Sequence, residues 1–263
     1  MMIIRDNHNN HLFPIKSGDE VHERISNARV FIVGAGGLGS PVALYLAAAG
    51  IGTIGIIDGD IVDLSNLQRQ IIHYTDDLNR PKVISAKEKI EGVNPDINVR
   101  VYHERITSKN IMDIFSDYDV IVDGTDNFPA KFLINDGAVF SNKPLVHGGI
   151  LRFTGQVFTI LPNKTACYRC IFKAPPPPGL IPSCQEAGVL GVLAGVIGTI
   201  QASEVIKIIS GEGETLTNRI LTYDALKMGF REVRIERNSD CPICGNEPEV
   251  SELVDYEQEV CTI

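Results

Sequence analysis

Apolar residues fall along this chain in two rhythms. Short apolar or β-branched runs occupy residues 30–33, 53–57, 98–102, 119–123 and 144–147, each bounded by glycine or polar positions. Longer stretches with helix-forming Ala, Leu, Ile and Lys lie between them, at 41–49, 81–91, 108–116 and 130–140. The first kind predicts strands and the second helices. Pro81 opens its helix at a position whose N–H would be unpaired anyway, and Gly50 and Gly52 stop the helix before them. Regular alternation of the two kinds predicts a mostly parallel sheet with helices on both faces.

The pattern changes after Gly148-Gly149. Residues 155–160 read as an antiparallel-type strand, and the prolines at 175–178, inside the stretch 174–182, predict an extended surface crossing. A helix from about 187 to 210 comes next, then strands over 219–223 and 230–236. Gly188, Gly191, Gly195 and Gly198 recur at helical spacing and share one face of that helix. Each costs up to about 1 kcal/mol relative to Ala, so the face predicts a close backbone approach. The neighbour is either another helix of the chain or a partner subunit.

The bulk numbers narrow the class. A chain of 263 residues with 44% hydrophobic content buries a large core and suits one elaborated α/β domain. The formal charge of −9, with no cluster of Lys and Arg, argues against nucleic-acid binding. Four apolar residues before Arg5 make no secretory leader. The apolar, glycine-rich run 187–200 falls short of the roughly 20 residues of a membrane span. A cytoplasmic protein with no membrane partner is the expectation, and its six cysteines then favour metal ligation or thiol chemistry over disulfides.

Four of those cysteines form two CxxC pairs, Cys167/Cys170 and Cys241/Cys244. One tight turn aims two thiolates at the same ion, and two turns complete the four-coordinate shell of a structural Zn²⁺ site. With about seventy residues between the pairs, the ion would pin a late segment to a distant loop. Cys184 and Cys261 are left over.

Gly34, Gly36 and Gly39 satisfy G-x-G-x-x-G between a strand and a helix, where backbone N–H groups face phosphates. Asp58, ending the second strand, is placed to accept ribose hydroxyls. These residues alone fit an NAD-dependent dehydrogenase equally well. The segment beyond the second strand does not: Asp58-Gly-Asp60, then Ser65-Asn-Leu-Gln-Arg-Gln70, then Arg80-Pro-Lys82, a loop of polar and cationic groups beside the phosphate turn. Nucleotidyl transfer depends on neutralising charge that develops on phosphates, which Arg69 and Lys82 would supply. The fourth strand runs into Asp123-Gly-Thr-Asp126-Asn127 at the carboxyl edge, and Asp126 is the metal-binding candidate. Asp60 has the competing role of capping a turn, Asp123 that of finishing its strand, and His147 reads as a satisfied histidine near the sheet edge.

Gly-x-Gly-Gly-Leu-Gly, Asp-x-Asp, Ser-Asn-Leu-Gln-Arg-Gln, Arg-Pro-Lys, Gly-Thr-Asp-Asn, Cys-Tyr-Arg-Cys, Cys-x-Glu-Ala-Gly and Cys-Pro-x-Cys-Gly occur here in that order. In this the chain resembles the ThiF, MoeB and HesA family, bacterial relatives of ubiquitin-activating enzymes, from about residue 28 to 245. The resemblance implies a Rossmann-like fold, ATP and Mg²⁺, a homodimer, and adenylation of the C-terminal carboxylate of a small ubiquitin-like sulfur carrier ending in Gly-Gly. A sulfur donor of cysteine desulfurase or rhodanese type would act afterwards. Matched by position, Gly37 would lie against the nucleotide with Gly34, Gly36 and Gly39, and Asp58 would hold the ribose. Ser65, Asn66, Leu67, Gln68, Arg69 and Gln70 would line the nucleotide, with Asn66 and Arg69 on the phosphates. Lys82 would neutralise them, and Asp126 would hold Mg²⁺ with Asn127 beside it.

Cys184, in Ser183-Cys-Gln-Glu-Ala-Gly188, matches a position that forms a thioester or acyl-disulfide in some family members; packing or a spare thiol are its other readings. One departure stands out. Family members usually begin with an Arg-Tyr-x-Arg-Gln type segment whose second arginine reaches the other subunit's ATP, whereas residues 7–14 here contain no arginine and Arg5 is a poor substitute. That keeps open the activation of a peptide or small-molecule carboxylate in natural-product assembly, and a non-catalytic scaffold as a further alternative. The expected organisation is an N-terminal arm (1–27), a nucleotide-binding region (28–150), a zinc-stapled carrier-binding and dimerisation region of the same domain (151–245) and an acidic flexible tail (246–263).

Overall fold

The structure, a computed structural model, describes residues 18–176 and 188–256. Arg5, the 7–14 segment, most of the proline-rich crossing, Cys184 and Cys261 lie outside them. Helix α1 (Gly18–Asn27) precedes β1 (Arg29–Val33), α2 (Gly39–Ala48), β2 (Thr53–Ile57), α3 (Lys82–Val93), β3 (Asn98–Tyr102), α4 (Ile111–Ser116), β4 (Val120–Asp123) and α5 (Phe128–Phe140). Then come β5 (Leu145–Leu151), β6 (Thr154–Ile160), the one-turn α6 (Tyr168–Ile171), α7 (Gly191–Ser210), β7 (Arg219–Asp224) and β8 (Gly229–Arg234). The eight strands form one sheet in the order β3-β2-β1-β4-β5-β6-β7-β8. Pairing is parallel from β3 to β5 and antiparallel from β5 to β8, so the mostly parallel sheet with an antiparallel extension is what the chain forms.

Strand period sorts the core into two layers. Val30 and Ile32 of β1 join Leu46, Val83 and Ile197 on one face, under α1, α2, α3 and α7. Phe31 and Val33 join Phe115, Phe132 and Phe158 on the other, under α4 and α5. A strand buried on both faces must be apolar at successive positions, which is why these strands read as continuous runs. Strand β5 is longer than expected: Gly148 and Gly149 pair with Val157 and Gln156 in the antiparallel ladder instead of ending the strand.

Helix α7 is long and apolar enough to cross a membrane by length and composition. It is nevertheless built into the body: Leu193, Ala194 and Ile197 are buried, and the buried Glu204 accepts hydrogen bonds from Thr159 Oγ1 and Leu216 N, both at 2.6 Å. Its glycine face divides. A Cβ on Gly198 would lie 2.4 Å from Pro41 Cγ, and one on Gly191 2.3 Å from Gln68 O, so those two glycines serve close approaches within the chain. A Cβ on Gly195 would meet nothing within 4 Å.

The expectation of a solvated tail from residue 246 onward does not describe residues 246–256. Val250, Leu253 and Tyr256 pack against the core layer under α5, and Asp255 accepts from Ser108 N (2.7 Å) and Ser108 Oγ (3.0 Å). The acidic count hid three apolar side chains at spacings that reach the body.

Candidate functional site

Register aligns the ends of the central strands. Val33 pairs with Ile57 on one side and Asp123 on the other, so Gly34, Asp58 and Gly124 leave the sheet together where the strand order reverses between β1 and β4. Open α/β sheets bind ligands at this switch point. Gly34 adopts φ +99°, and a Cβ on Gly39 would lie 1.9 Å from Gly34 O. The turn therefore needs glycine at both places. Asp58 braces it, accepting from Ala35 N and Asp60 N, both at 2.9 Å.

Beneath the turn is a residue the sequence did not single out. Buried His73 has Nε2 2.9 Å from Ala35 O and Nδ1 2.8 Å from Ser85 Oγ. A carbonyl only accepts, so Nε2 carries the proton and Nδ1 takes the serine hydroxyl's. Burial lowers the His73 pKa, and the neighbouring Lys82 lowers it further, keeping this neutral form. No local pattern distinguishes such a histidine from an ordinary core residue.

The cations approach from two directions. Arg69 lies along the glycine turn: a Cβ on Gly37 would sit 3.4 Å from its Cγ, and its Nη1 donates to Ser65 O at 3.4 Å. Asp63 accepts from Ser65 N at 2.8 Å and caps the short 3₁₀ turn that carries Ser65 and Asn66. Asn66 is buried and donates to Ser65 Oγ at 3.2 Å. Gln70 is buried with its Oε1 unpaired among the described residues, Gln68 backs onto the start of α7, and Leu67 is half-buried. Lys82 has a buried stem, and its Nζ pairs with Asp60 Oδ2 at 3.3 Å. Asp60 thus faces Lys82; its other oxygen lies 3.9 Å from Arg105 Nη2.

Asp126 stands across the turn. A Cβ on Gly34 would lie 3.6 Å from Thr125 N, so the Thr125-Asp126 loop adjoins the glycines. The Asp126 side chain is exposed and has no partner among the described residues, as suits a carboxylate that would hold a cation. Asn127 caps α5, accepting from Ala130 N at 2.9 Å. The loop forms one lip of a cleft of about 660 Å³ whose other walls include Gly149, Phe153, Phe172 and Leu226. Arg69 and Lys82 are not among the residues that line it.

Under this loop is a buried ionic group. Asp123 Oδ2 accepts from Lys131 Nζ at 3.0 Å and His147 Nδ1 at 2.8 Å, while Oδ1 accepts from Thr125 N at 3.0 Å and Thr125 Oγ1 at 2.6 Å. Burial by itself would raise the Asp123 carboxyl; Lys131 and the hydrogen bonds outweigh it and hold it well below the usual carboxylate range. Burial, then Lys131, lowers His147, which stays neutral. His147 is therefore half satisfied: Nδ1 donates to Asp123, and Nε2 has no partner among the described residues. Lys131 is a second residue that sequence reasoning missed.

Both CxxC pairs converge. Cys167 Sγ lies 3.8, 3.6 and 3.4 Å from the sulfurs of Cys170, Cys241 and Cys244, and Cys170 Sγ lies 3.4 Å from that of Cys244. Four thiolates around Zn²⁺ at about 2.3 Å sit about 3.8 Å apart, so the donor set and its spacing fit that ion. Asn238 N donates to Cys170 Sγ at 3.4 Å. The buried Arg169, between the first two cysteines, makes a two-pronged pair with Asp136 of α5 at 2.7 and 2.8 Å.

The model of the ThiF family matches residues 8–243. The chain is 47% identical to "Sulfur carrier protein adenylyltransferase" of Thermus thermophilus over 91% of its own length and 90% of the relative's. It is also 47% identical to "Probable adenylyltransferase/sulfurtransferase MoeZ" of Mycobacterium tuberculosis, covering 94% of this chain and 63% of that one. Among solved structures, E. coli MccB with MccA-N7isoASN superposes with a TM-score of 0.77 at 25% identity, over 86% of this chain and 69% of the other.

Proposed function

The chain belongs to the ThiF family, and from that premise we propose that it is an adenylyltransferase acting on a ubiquitin-like sulfur-carrier protein. It uses ATP to activate the carrier's C-terminal Gly-Gly carboxylate. The observation that carries this reading is the shared edge: the glycine turn with Arg69 against Gly37, Lys82 facing Asp60, and Asp126 lining a neighbouring cleft of about 660 Å³.

In the reaction, a carboxylate oxygen of the carrier attacks the α-phosphorus of ATP. The bond from that phosphorus to the bridging oxygen of the β-phosphate breaks, and pyrophosphate leaves with the electron pair. Asp58 holds the ribose, and the turn at Gly34, Gly36, Gly37 and Gly39 presents backbone N–H groups to the phosphates. Arg69 and Lys82 offset the negative charge that grows on the leaving group. The segment Ser65, Asn66, Leu67, Gln68, Arg69, Gln70 closes over the nucleotide. Asp126 would hold Mg²⁺, and the ion when bound would supply further positive charge against the phosphates.

Zn²⁺ bound by Cys167, Cys170, Cys241 and Cys244 is structural, since all four positions are filled by protein. Residues 28–150 serve the nucleotide and residues 151–245 the carrier. The open face at Gly195 and Val192 of α7 suits a second copy of the chain, giving a homodimer. Cys184, outside the described residues, is proposed to take the acyl group from the adenylate, its thiolate attacking the carbonyl carbon and releasing AMP. A separate sulfur donor of cysteine desulfurase or rhodanese type then supplies sulfur, in the cytoplasm. The named relatives favour a sulfur carrier over a peptide or small-molecule acid.

Exchange of radiolabelled pyrophosphate into ATP tests this. Exchange should require a Gly-Gly-ended carrier and vanish when the carrier's last glycine is deleted; exchange that ignores the carrier would overturn the reading.

A further inference from the structure

Lys131 makes three hydrogen bonds with a side chain that has three donors. Its Nζ donates to Asp123 Oδ2 at 3.0 Å, to Thr125 O at 2.8 Å and to Gly148 O at 2.7 Å. The residue is 8% exposed, and its charge is matched by the buried Asp123 carboxylate. It therefore brings no net positive charge to the site and has no donor left for a phosphate or for the acceptor's carboxylate. What it does is geometric. Thr125 O belongs to the loop after β4 and Gly148 O to β5, so one ammonium, rooted in α5, ties the metal-loop lip of the cleft to the strand along its other side.

The neighbouring bonds serve the same end. Thr125 is held by Lys131 through its carbonyl and by Asp123 through its N–H and hydroxyl. Asn127 is fixed as the α5 cap, and Gln201 of α7 donates to Asp123 O at 2.8 Å and Val146 O at 3.2 Å. In the turn from Asp123 to Asn127, the side chain left without a partner among the described residues is that of Asp126. It sits between two clamped neighbours.

We infer that Lys131 is a positioning residue of the adenylation site, fixing where Asp126 stands relative to the strand that borders the acceptor cleft. The inference rests on the reading of Asp126 as the metal carboxylate. Outer partners of metal ligands typically govern affinity or rate by about 10–100-fold, and a hydrogen-bond set in a dry interior holds its geometry tightly.

The test measures Mn²⁺ binding, by paramagnetic resonance, to the full chain carrying a non-hydrolysable ATP analogue, beside ATP affinity without metal, kcat, carrier KM and melting temperature. Because Lys131→Met alone strands a buried carboxylate, the variant is the double substitution Lys131→Met with Asp123→Asn. The expected result is a folded, zinc-loaded protein whose Mn²⁺ affinity and kcat both fall about tenfold or more, with metal-free nucleotide affinity unchanged. Lys131→Arg keeps the charge, but its planar fork cannot serve three divergent acceptors; it should move the same quantities less, and it stands in if the double variant does not fold. Wild-type Mn²⁺ affinity in either folded variant, or a loss confined to melting temperature, would overturn the inference. Weakened Mn²⁺ binding in a protein whose wild type exchanges no pyrophosphate with any carrier would instead sink the functional reading and leave the positioning role standing.

Discussion

At the carboxyl edge of β1, β2 and β4, polar side chains are held by a sheet buried on both faces. Strands β6 to β8 continue the same sheet in antiparallel pairing, and the last of them is exposed at every residue. The first region draws rigidity from packing: Val30, Phe31, Ile32, Ile54, Ile56, Ile121 and Val122 are all fully buried. In the second, β6 is still buried through Val157, Phe158 and Ile160, but β7 and β8 add few such residues, and the segments that follow β6 and β8 meet at four cysteine sulfurs. Where apolar area is scarce, a metal supplies folding energy that a core would otherwise provide. On the proposed reading the chemistry belongs to the packed half, where groups must be placed precisely, while Phe172, Thr222 and Leu226 of the other half line the cleft's far wall.

The largest expected effect breaks the staple. Cys241→Ser, or exhaustive chelation, should lower the melting temperature by about 10 °C or more, as a loss of several kcal/mol implies for a domain of this size. Limited proteolysis should then cut the region from β8 to residue 256 before it cuts the parallel strands. Equal protection of both halves after metal loss would show that the cysteines carry no special burden.

Next in size is the charge at the edge. Lys82→Ala and Asp126→Ala should each slow pyrophosphate exchange by about 10²–10³-fold, the range found when a preorganised charge-stabilising group is removed. Circular dichroism and zinc content should stay unchanged. Lys82→Ala also frees Asp60 from its partner, so nucleotide affinity should fall with it; a variant that loses zinc along with activity would erase the division between the halves.

A smaller effect concerns how the Arg69 loop is anchored. Asp77 accepts from Lys89 Nζ at 2.5 Å, Arg80 Nη1 at 2.8 Å and Tyr74 N at 2.8 Å. Burial pushes its carboxyl up, but these donors, Lys89 foremost, bring it down to about 2 from 3.8. Because the folded pKa is the lower one, the contribution is full above the unfolded value and is lost as pH falls from about 5 towards 2. It amounts to about 2 kcal/mol. Urea melts of wild type and Asp77→Asn should differ by about that much at pH 7 and converge in acid; a constant gap would remove Asp77 from the anchor.

Much of this was legible in the order of residues. The parallel half announced itself because doubly buried strands read as apolar runs, and the two CxxC pairs because thiolate spacing is local. Lys131 was not legible, since its importance comes from Gly148 and Asp123, which only the fold brings to it. His73 depends on the carbonyl of Ala35, 38 residues away. The docking of Tyr256 on Asp136 spans 120 residues, and local acidity pointed the other way. Sequence reports what a residue does with its neighbours in the chain, and these three act on neighbours in space.

The smallest expected effect is a control within the packed half. A Cβ on Gly92 of α3 would meet nothing within 4 Å, so Gly92→Ala should stabilise by about 0.5–1 kcal/mol through helix propensity and leave exchange untouched. A thermal melt beside the exchange assay checks it, and a loss of activity would mean that α3 feeds the site through more than Lys82.

The central claim is that one guanidinium, one ammonium and one carboxylate with its magnesium surround a single triphosphate at the β1–β4 edge. A crystal structure with a non-hydrolysable ATP analogue and Mg²⁺ tests it most directly. The account predicts Arg69 and Lys82 on the phosphate oxygens and Asp126 on the metal, with the glycine turn beneath; a nucleotide bound elsewhere, or these three side chains turned away from it, would contradict the account.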